Sequence, residues 1–446
     1  MINWLVKKIA DPLADESINV LMTKDYAQNP LVMLTASQKL GLTAIVEAGM
    51  RAQTGKEIAR PLGSPVVLSP WNQILLSPRQ LFELPTPSVS QISTKTVVGP
   101  AAKKPLVLDI PVMITAMSYG GSLSLRMKTA LAKGAAMAGT ATNTGESTVT
   151  DEERNAAKYL VGQYNRGGWL TSAEHLRRVD AIEVQLGQGA WGGAVESTIE
   201  ANETDEHLRK AWHLKENQDA TIHALMPGVQ SSRDIVELVR NLKKTYEVPV
   251  GIKIAGSDYI EYDLEVASEA GVDFITIDGS EGGTAGAPVT LEDDVGLPTL
   301  YSLVRAVDWL RENGIPDRCS VIATGGLSTP GHFLKALALG ATAVTIGSIA
   351  VMAALHDQLE KTVPQATALQ LALYDGVNVD KLDVDRAAQS VANFLKSCAA
   401  EMKLAAQALG KNSLTELCRD DLVTVDRDLA EFAKIRYAGS PRPRRN

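Results

Sequence analysis

The sequence contains little cysteine. Its 446 residues include three cysteines, Cys319, Cys398 and Cys418, which are widely spaced. No pair has the close spacing of metal ligands, and three cysteines cannot all pair within one chain. We therefore expect free thiols in a reducing compartment and no metal site.

The sequence also lacks an excess of positive charge. The formal net charge is −8, whereas a protein that binds nucleic acid needs a basic face. Arginines alternate with prolines after Ser440, a pattern that predicts a disordered, solubilising tail. A nucleic-acid partner is therefore not expected.

Long apolar runs are missing as well. No uninterrupted apolar stretch is long enough to span a bilayer. The first residues, MINWLVKKIADPLADE, have no charged segment ahead of their short apolar run, unlike a secretory signal. These absences predict a cytoplasmic protein without a membrane partner.

Hydrophobic residues make up 45% of the chain, enough for a large core. We predict an N-terminal extension over residues 1–103 that wraps a barrel over residues 104–355, followed by a helical C-terminal region over residues 356–446 that ends in the basic tail. In the extension, Ser37 to Gln53 has the apolar periodicity of one helix. In the last region, Val384 to Gly410 predicts a long amphipathic helix with Gly410 as its C-cap.

Short apolar runs alternate with helical stretches from about Lys104 onwards, and several of the runs are rich in β-branched residues. The eight predicted strands are Val112–Ala116, Ala138–Thr142, Tyr159–Gln163, Ala181–Leu186, Val250–Ile254, Phe274–Ile277, Val321–Thr324 and Ala343–Ile346. This alternation predicts an α/β fold with a parallel sheet, and eight units favour closure into a (β/α)8 TIM barrel. An open doubly wound sheet is the alternative.

Glycine loops follow the last two predicted strands. Gly325 and Gly326 come directly after the seventh run, and Gly347 and Ser348 come after the eighth. Loops at these positions form the usual phosphate site of such barrels, because glycine lets backbone N–H groups approach an anion. The alternative is that these glycines only permit tight turns.

A cation interrupts the fifth apolar run, which reads Gly251-Ile252-Lys253-Ile254. If the Lys253 side chain lies inside the barrel, it can stabilise negative charge at the N1–C2=O edge of a reduced flavin. The alternative is a lysine that pairs with a carboxylate in the barrel wall.

Three further loops carry small residues at the expected rim of the barrel. The loop from Asp278 to Gly286 contains four glycines, so its backbone can lie against a flat or anionic ligand, although a merely flexible loop has the same composition. Ala116–Gly121 follows the first run, and Asn143–Glu146 follows the second. Glu146 can serve in substrate binding or proton transfer, or it can be a helix-start charge.

Taken in order, these loops resemble the FMN-binding synthase domain of glutamate synthase. The resembling segments are IPVMITAMSYGGSLS, ATNTGES, VQLGQGAWGG, VGIKIAG, ITIDGSEGGTAGAP, ATGGLSTPGHFLKALALGA and VTIGS. With their flanks they extend from about Pro65 to Val423, and their order and extent make the resemblance specific.

The resemblance implies FMN as the cofactor, with Lys253 at the N1–O2 edge of the isoalloxazine ring. The groups implied around the ring are the backbone of Ala116, Met117 and Ser118, and the side chains of Asn143 and Gln163. The residues implied around the ribityl phosphate are Asp278, Gly279, Gly282, Gly283, Gly325, Gly326, Gly347 and Ser348.

The sequence also departs from that family. Gln185 and Trp191 stand where glutamate synthase carries two lysines, and a histidine-bearing segment is replaced by MPGVQSSRD. The region after the last strand, MAALHDQLEKTVPQATALQ, lacks the family's cysteine cluster for an iron–sulfur centre. The chain begins Met1-Ile2 instead of with the cysteine nucleophile of a glutaminase. The segments that bind FMN in that family thus resemble this sequence more closely than the segments that bind its substrate.

We therefore predict an FMN-dependent oxidoreductase that transfers hydride through flavin N5 to an imine or another small acceptor. The catalytic candidates are Lys253, Glu146 and Gln185. Expected partners are a small-molecule substrate, a separate electron-donor or ammonia-supplying subunit, and further copies of the chain in a homo-oligomer. Two alternatives are a flavin-binding electron-transfer subunit and a redox-neutral FMN-dependent isomerase that resembles type 2 isopentenyl diphosphate isomerase.

Overall fold

The computed structural model describes residues 15–315, 318–362 and 366–442. The chain divides into two compact units, Met1–Ala59 and Arg60–Asn446. The first unit is helical, and the second is built on a parallel barrel.

The described part of the first unit contains three α-helices. They are α1 (residues 15–23), α2 (Val32–Leu40) and α3 (Leu42–Thr54). The single helix predicted from Ser37 to Gln53 is therefore wrong. Gly41 ends α2 with a φ of 82°, a conformation that favours glycine, and its N–H donates to Ser37 O at 2.8 Å. The apolar periodicity continues across this break, so the pattern did not reveal it.

Among the described residues, four short strands precede the barrel. They are β1 (Ala59–Arg60), β2 (Ile74–Leu76), β3 (Thr96–Val98) and β4 (Leu106–Leu108). β3 and β4 form an antiparallel pair. The later strands are β5 (Val112–Ile114), β6 (Ala141–Asn143), β7 (Tyr159–Tyr164), β8 (Ala181–Gln185), β9 (Ser197–Ile199), β10 (Ala220–Ile222), β11 (Val250–Ala255), β12 (Phe274–Asp278), β13 (Ala287–Pro288), β14 (Ser320–Thr324), β15 (Ala343–Ile346), β16 (Leu422–Thr424) and β17 (Arg436–Tyr437).

Eight of these strands form one parallel sheet in the order β5, β15, β14, β12, β11, β8, β7, β6. A parallel bridge between Ala116 and Asn143 joins the two ends of this order. The predicted (β/α)8 TIM barrel is therefore confirmed, and the doubly wound alternative does not hold.

The barrel strands coincide with the eight predicted runs to within a few residues, because their residues are buried on both faces and read as apolar runs. Polar residues inside these runs are the exceptions. The register sets Lys253 of β11 opposite Gln185 of β8 and Thr276 of β12. The pairing of the strands thus brings three polar side chains together, one from each of three neighbouring strands.

The second predicted strand, Ala138–Thr142, begins three residues too early. Ala138 is instead the C-cap of the preceding helix, and its N–H donates to Gly134 O and Ala135 O. Gly139 then turns the chain with a φ of 74°, at a place where a Cβ would overlap the Asp109 carboxylate. Alanines and a glycine at a helix end have the same apolar composition as a strand, which explains the error.

Helices of the second unit cover the barrel. They are α4 (Leu125–Met137), α5 (Asp151–Ala156), α6 (Ala173–Leu176), α7 (Glu206–Ala211), α8 (Ser232–Thr245), α9 (Ile260–Ala270), α10 (Val289–Asp294), α11 (Thr299–Glu312), α12 (Pro330–Leu339), α13 (Ser348–Leu355), α14 (Val384–Ala408) and α15 (Arg427–Phe432). None of the helices in the described ranges is long and apolar enough to cross a membrane.

The long C-terminal helix begins at Val384 as predicted but ends at Ala408. Leu409 is its C-cap, and Gly410 follows with a φ of 69°. The prediction of Gly410 as the C-cap is therefore wrong by one residue. Gly410 takes the left-handed position just beyond the cap, where a Cβ would be strained.

Further small sheets lie outside the barrel, among them the following two. β2 pairs antiparallel with β16, and β16 pairs parallel with β17. β9 pairs antiparallel with β10 in the segment between β8 and α8. That segment therefore has secondary structure of its own.

Helix α4 packs closely on α14 at Gly134. A Cβ there would lie 2.7 Å from Val391 Cβ and 2.8 Å from Ala388 O. We expect Gly134→Ala to lower the free energy of unfolding by about 1–3 kcal/mol, because the two helices would have to separate. Gly331→Ala is the control, since its Cβ would meet only Thr329 Oγ1 at 3.7 Å. Urea unfolding checks both variants, and equal stabilities would contradict the close packing.

Candidate functional site

Lys253 and Asp278 form a buried ion pair at the carboxyl ends of β11 and β12. Lys253 Nζ lies 2.8 Å from Asp278 Oδ2, and the side chains are 3% and 9% exposed. Burial lowers the pKa of Lys253, but the carboxylates of Asp278 and Glu183 outweigh it and hold the pKa above its ordinary value. The neighbouring carboxylates thus favour the charged form of Lys253, and the carboxylate pairing considered from the sequence is present.

Glu183 of β8 connects three strands inside the barrel. Its Oε1 accepts hydrogen bonds from Asn143 Nδ2 and Gln163 Nε2, both at 2.9 Å. Its Oε2 accepts from Thr276 Oγ1 at 2.7 Å. Glu183 was not predicted from the sequence, although a carboxylate in the buried run AIEVQ, two residues before Gln185, was a signal for a polar barrel interior.

A second buried cation, Arg166, follows β7. Its Nη2 lies 3.2 Å from Glu146 Oε1, and its Nε donates to Gln185 Oε1 at 3.0 Å. Its Nη1 donates to the backbone oxygens of His223 and Val195 at 2.9 and 3.3 Å. Arg166 thus brings together two residues that the sequence predicted as catalytic candidates.

Arg166 corrects one inference from the sequence. Gln185 and Trp191 are neutral where the resembled family carries lysines, and the sequence therefore predicted a loss of positive charge. The guanidinium of Arg166 nevertheless reaches Gln185 from the neighbouring strand. An arginine directly after a buried run was the available signal, and it was missed because the neighbour in space is 19 residues away in sequence.

Glu146 lies in the loop after β6, and the next helix begins only at Asp151, so Glu146 is not a helix-start charge. Burial raises the pKa of Glu146, while Arg166 and Lys253 lower it, and the net direction is upward. A largely buried carboxyl group with a raised pKa is a candidate for proton transfer.

The rim loops after β5 and β6 pack against each other. Gly145 has a φ of 65°, and a Cβ there would lie 2.5 Å from Ser118 N and 2.6 Å from the carbonyl carbon of Met117. Asn143 Oδ1 accepts from Gly145 N at 2.9 Å, which fixes the turn. Residues predicted around the flavin ring therefore do lie together.

The glycine loops after β12, β14 and β15 also converge. Gly279 N donates to Thr324 O at 3.0 Å, and Thr299 Oγ1 donates to Gly325 O at 2.8 Å. A Cβ on Gly283 would overlap Ser348 Oγ. These contacts bring the predicted phosphate loops to one place.

The glycine loops fit a phosphate. Gly325 and Gly326 have φ values of 111° and 67°, which are conformations that bulkier residues rarely adopt. Helix α13 begins at Ser348, and no side chain caps it. Its first backbone N–H groups are therefore available to an anion.

The barrel interior also fits a ligand with a hydrogen-bonding edge. Gln163 Oε1 and Gln185 Nε2 are buried, and neither makes a hydrogen bond within the ranges that the structure describes. Buried polar atoms without a partner are uncommon in folded proteins, so each is expected to meet a ligand or water. No cluster of three or more His, Cys, Asp or Glu side chains suited to a metal ion occurs in the described part of the chain.

The segment between β8 and α8 covers one side of this site. Trp212 stacks on Trp169 with ring centroids 3.7 Å apart, and its Nε1 donates to Ser147 Oγ at 2.9 Å. Ser147 Oγ in turn donates to Tyr119 O at 3.0 Å. The segment is thereby attached to the loops after β5, β6 and β7.

A parallel barrel with glycine loops after its last two strands and a buried cation at its mouth is typical of flavoprotein oxidoreductases of the (β/α)8-barrel class. The conserved region in glutamate synthase matches residues 78–412. The chain belongs to the glutamate synthase family. It is accordingly an FMN-dependent oxidoreductase, as the sequence predicted.

Two relatives illustrate the similarity. The glutamate synthase large subunit-like protein of Rhizobium meliloti is 32% identical, over 78% of this chain and 82% of the relative. The archaeal glutamate synthase [NADPH] of Methanocaldococcus jannaschii is 31% identical, over 75% of this chain and 65% of the relative. The chain thus spans about two thirds of that second protein.

A solved structure shares the fold. The flavin-binding domain of baker's yeast flavocytochrome b2 matches with a TM-score of 0.53 and 19% identity, over 86% of this chain and 83% of that chain. At this identity the likeness supports the barrel architecture and nothing finer.

The titration of Glu146 can be tested by the Glu146→Gln variant. Because the folded protein holds this proton more tightly than the unfolded chain, wild-type stability falls as pH rises from the ordinary carboxyl pKa through the raised one. The variant lacks this titration. Its free energy of unfolding relative to wild type should therefore increase with pH.

Urea unfolding at a series of pH values between about 4 and 8 measures this difference. The attraction of Arg166 for the ionised form of Glu146 is already part of this comparison, because it contributes to the folded-state pKa of Glu146. A difference that stays constant or falls with pH would show that the pKa of Glu146 is not raised.

Proposed function

We propose that the chain catalyses the redox interconversion of an amine and its imine, and that its substrate carries less negative charge than 2-oxoglutarate. FMN, when bound, supplies hydride transfer through flavin N5 to the imine or another small acceptor. The observation that carries the proposal is the Glu146–Arg166–Gln185 cluster beside the Lys253–Asp278 pair.

The glycine loops provide the cofactor's anchoring groups in this proposal. The phosphate would be held by the loops at Gly279, Gly282–Gly283, Gly325–Gly326 and Gly347–Ser348, with Asp278 at the start of the first loop. The backbone at Ala116–Ser118 and the side chains of Asn143 and Gln163 would bind the ring. The left-handed glycines and the uncapped start of α13 support this assignment.

Lys253 would stabilise negative charge at one edge of the ring. Its ammonium is buried and already charged, so no reorganisation is needed when negative charge develops. Asp278 holds that ammonium in place at 2.8 Å.

Glu146 and Gln185 would face the substrate. A carboxyl group with a raised pKa can bind a substrate nitrogen or exchange a proton with it. Gln185 can orient the substrate through its unpartnered Nε2. Arg166 holds both side chains through its hydrogen bonds.

The charges at the barrel mouth disfavour a dianionic substrate. Two cations, Lys253 and Arg166, lie beside the carboxyl groups of Asp278, Glu146 and Glu183. Each cation already contacts a carboxylate, and Gln185 and Trp191 add no charge. A dicarboxylate would therefore lack a charge-assisted partner in this group of residues, and the diphosphate of an isomerase substrate would lack one for the same reason.

We predict that Lys253→Met lowers the reduction potential of bound FMN. Loss of the buried cation should also weaken the flavin–sulfite adduct by about tenfold or more, because the adduct places negative charge on the ring. Spectroscopic titration with sulfite and a reductant measures both quantities.

Lys243→Met provides a matched control for this variant. Lys243 Nζ lies 2.6 Å from Asp273 Oδ1, and Asp273 directly precedes β12, the strand that ends at Asp278. The Lys243→Met variant should leave both quantities unchanged. Wild-type values in Lys253→Met, with FMN still bound, would assign Lys253 to the barrel wall alone.

The substrate proposal predicts no glutamate from reduced, FMN-loaded protein supplied with ammonia and 2-oxoglutarate. A parallel reaction with pyruvate and ammonia, whose imine carries one carboxylate, should reoxidise the flavin faster. Amino-acid analysis and flavin absorbance follow the two reactions. Glutamate at turnover rates would refute the charge argument, and reoxidation by neither imine would favour an electron-transfer subunit.

A further inference from the structure

A second buried ion pair lies outside the candidate site. Lys128 of α4 and Glu153 of α5 are joined by a 2.8 Å contact, and their side chains are 0% and 1% exposed. Complete burial of two charges costs several kcal/mol in desolvation, and a well-packed apolar pair is often as stable. Stability alone therefore does not account for this pair.

Lys128 reaches beyond its partner to the backbone of a barrel strand. Its Nζ donates to Asn143 O at 2.6 Å, at the last residue of β6. The side chain of Asn143 joins the barrel interior to the next loop. Its Nδ2 donates to Glu183 Oε1, and its Oδ1 accepts from Gly145 N. One ammonium thus fixes the residue from which the rim loop starts.

That rim loop carries several groups of the proposed site. Gly145 packs on the backbone of Met117 and Ser118, with no room for a Cβ, and Glu146 follows it. A shift of the Asn143 carbonyl would therefore be passed to both rim loops.

We propose that Lys128 is a positioning residue, which holds the loop Asn143–Glu146 through the Asn143 carbonyl while Glu153 neutralises its charge. A lysine suits this role because its ammonium has three donors and can bind a carboxylate and a carbonyl at once. The inference rests on the proposed function only in taking this loop as part of the FMN site.

The decisive variant is the double substitution Lys128→Met with Glu153→Leu. It removes both charges together and leaves no buried charge without a partner, so the free energy of unfolding should stay close to that of wild type. The dissociation constant of FMN should rise about tenfold, and the affinity of the bound flavin for sulfite should fall. The amide of Gly145 should exchange hydrogen faster, because its acceptor is no longer held.

A matched control lies on the same helix. Lys133 of α4 pairs with Asp385 at 2.5 Å, and these side chains are 47% and 79% exposed. The double substitution Lys133→Met with Asp385→Leu should leave FMN binding, sulfite affinity and Gly145 exchange unchanged.

Wild-type FMN binding, sulfite affinity and Gly145 exchange in the double variant of Lys128 and Glu153 would overturn the proposal and leave the pair a structural one. If that variant does not fold, Lys128→Met with Glu153→Gln is measured instead, since it removes the donor to Asn143 O and leaves a neutral side chain at position 153. A threefold or larger rise in its FMN dissociation constant supports the proposal, and an unchanged value overturns it. These measurements use FMN and sulfite alone, so failure of the amine–imine assignment would not alter their outcome.

Discussion

Glu183 places a carboxylate in the middle of the barrel, and most of the candidate site is arranged around it. It accepts hydrogen bonds from Asn143, Gln163 and Thr276, which belong to three other strands. A buried carboxylate without these donors would be strongly destabilising. The requirement to satisfy it therefore restricts the side chains on each strand that faces it.

Two cations, Lys253 and Arg166, lie on different sides of the barrel mouth. Lys253 is held by Asp278 on the side of the glycine loops, and Arg166 is held by Glu146 on the side of the segment after β8. Both pairs are buried, so their interactions are weakly screened by salt. The register of the parallel strands determines this separation, since it sets Lys253 beside Gln185 and Thr276.

The sequence was sufficient for features that depend on local pattern. Eight apolar runs predicted the barrel, and Lys253 was evident because a cation stands out in a buried strand. Arg166 and Glu183 were missed because their roles depend on partners from other strands. Thr276, for example, is 93 residues from Glu183.

Errors at element ends have a different cause. The helix break at Gly41 was missed and the start of β6 was misplaced, because an apolar pattern does not show where backbone hydrogen bonds stop. Residues that face a cofactor are harder to predict than strands, since they depend on where several loops meet and not on a local pattern.

Arg166 has a consequence for how this protein can change over evolutionary time. The cation that contacts Glu146 lies just after β7, and its hydrogen bonds to the segment after β8 go to the backbone oxygens of Val195 and His223. Any side chain can occupy those two positions without breaking the contacts. Substitutions at those two positions can therefore reshape that side of the site while the hydrogen bonds of Arg166 to the segment are kept.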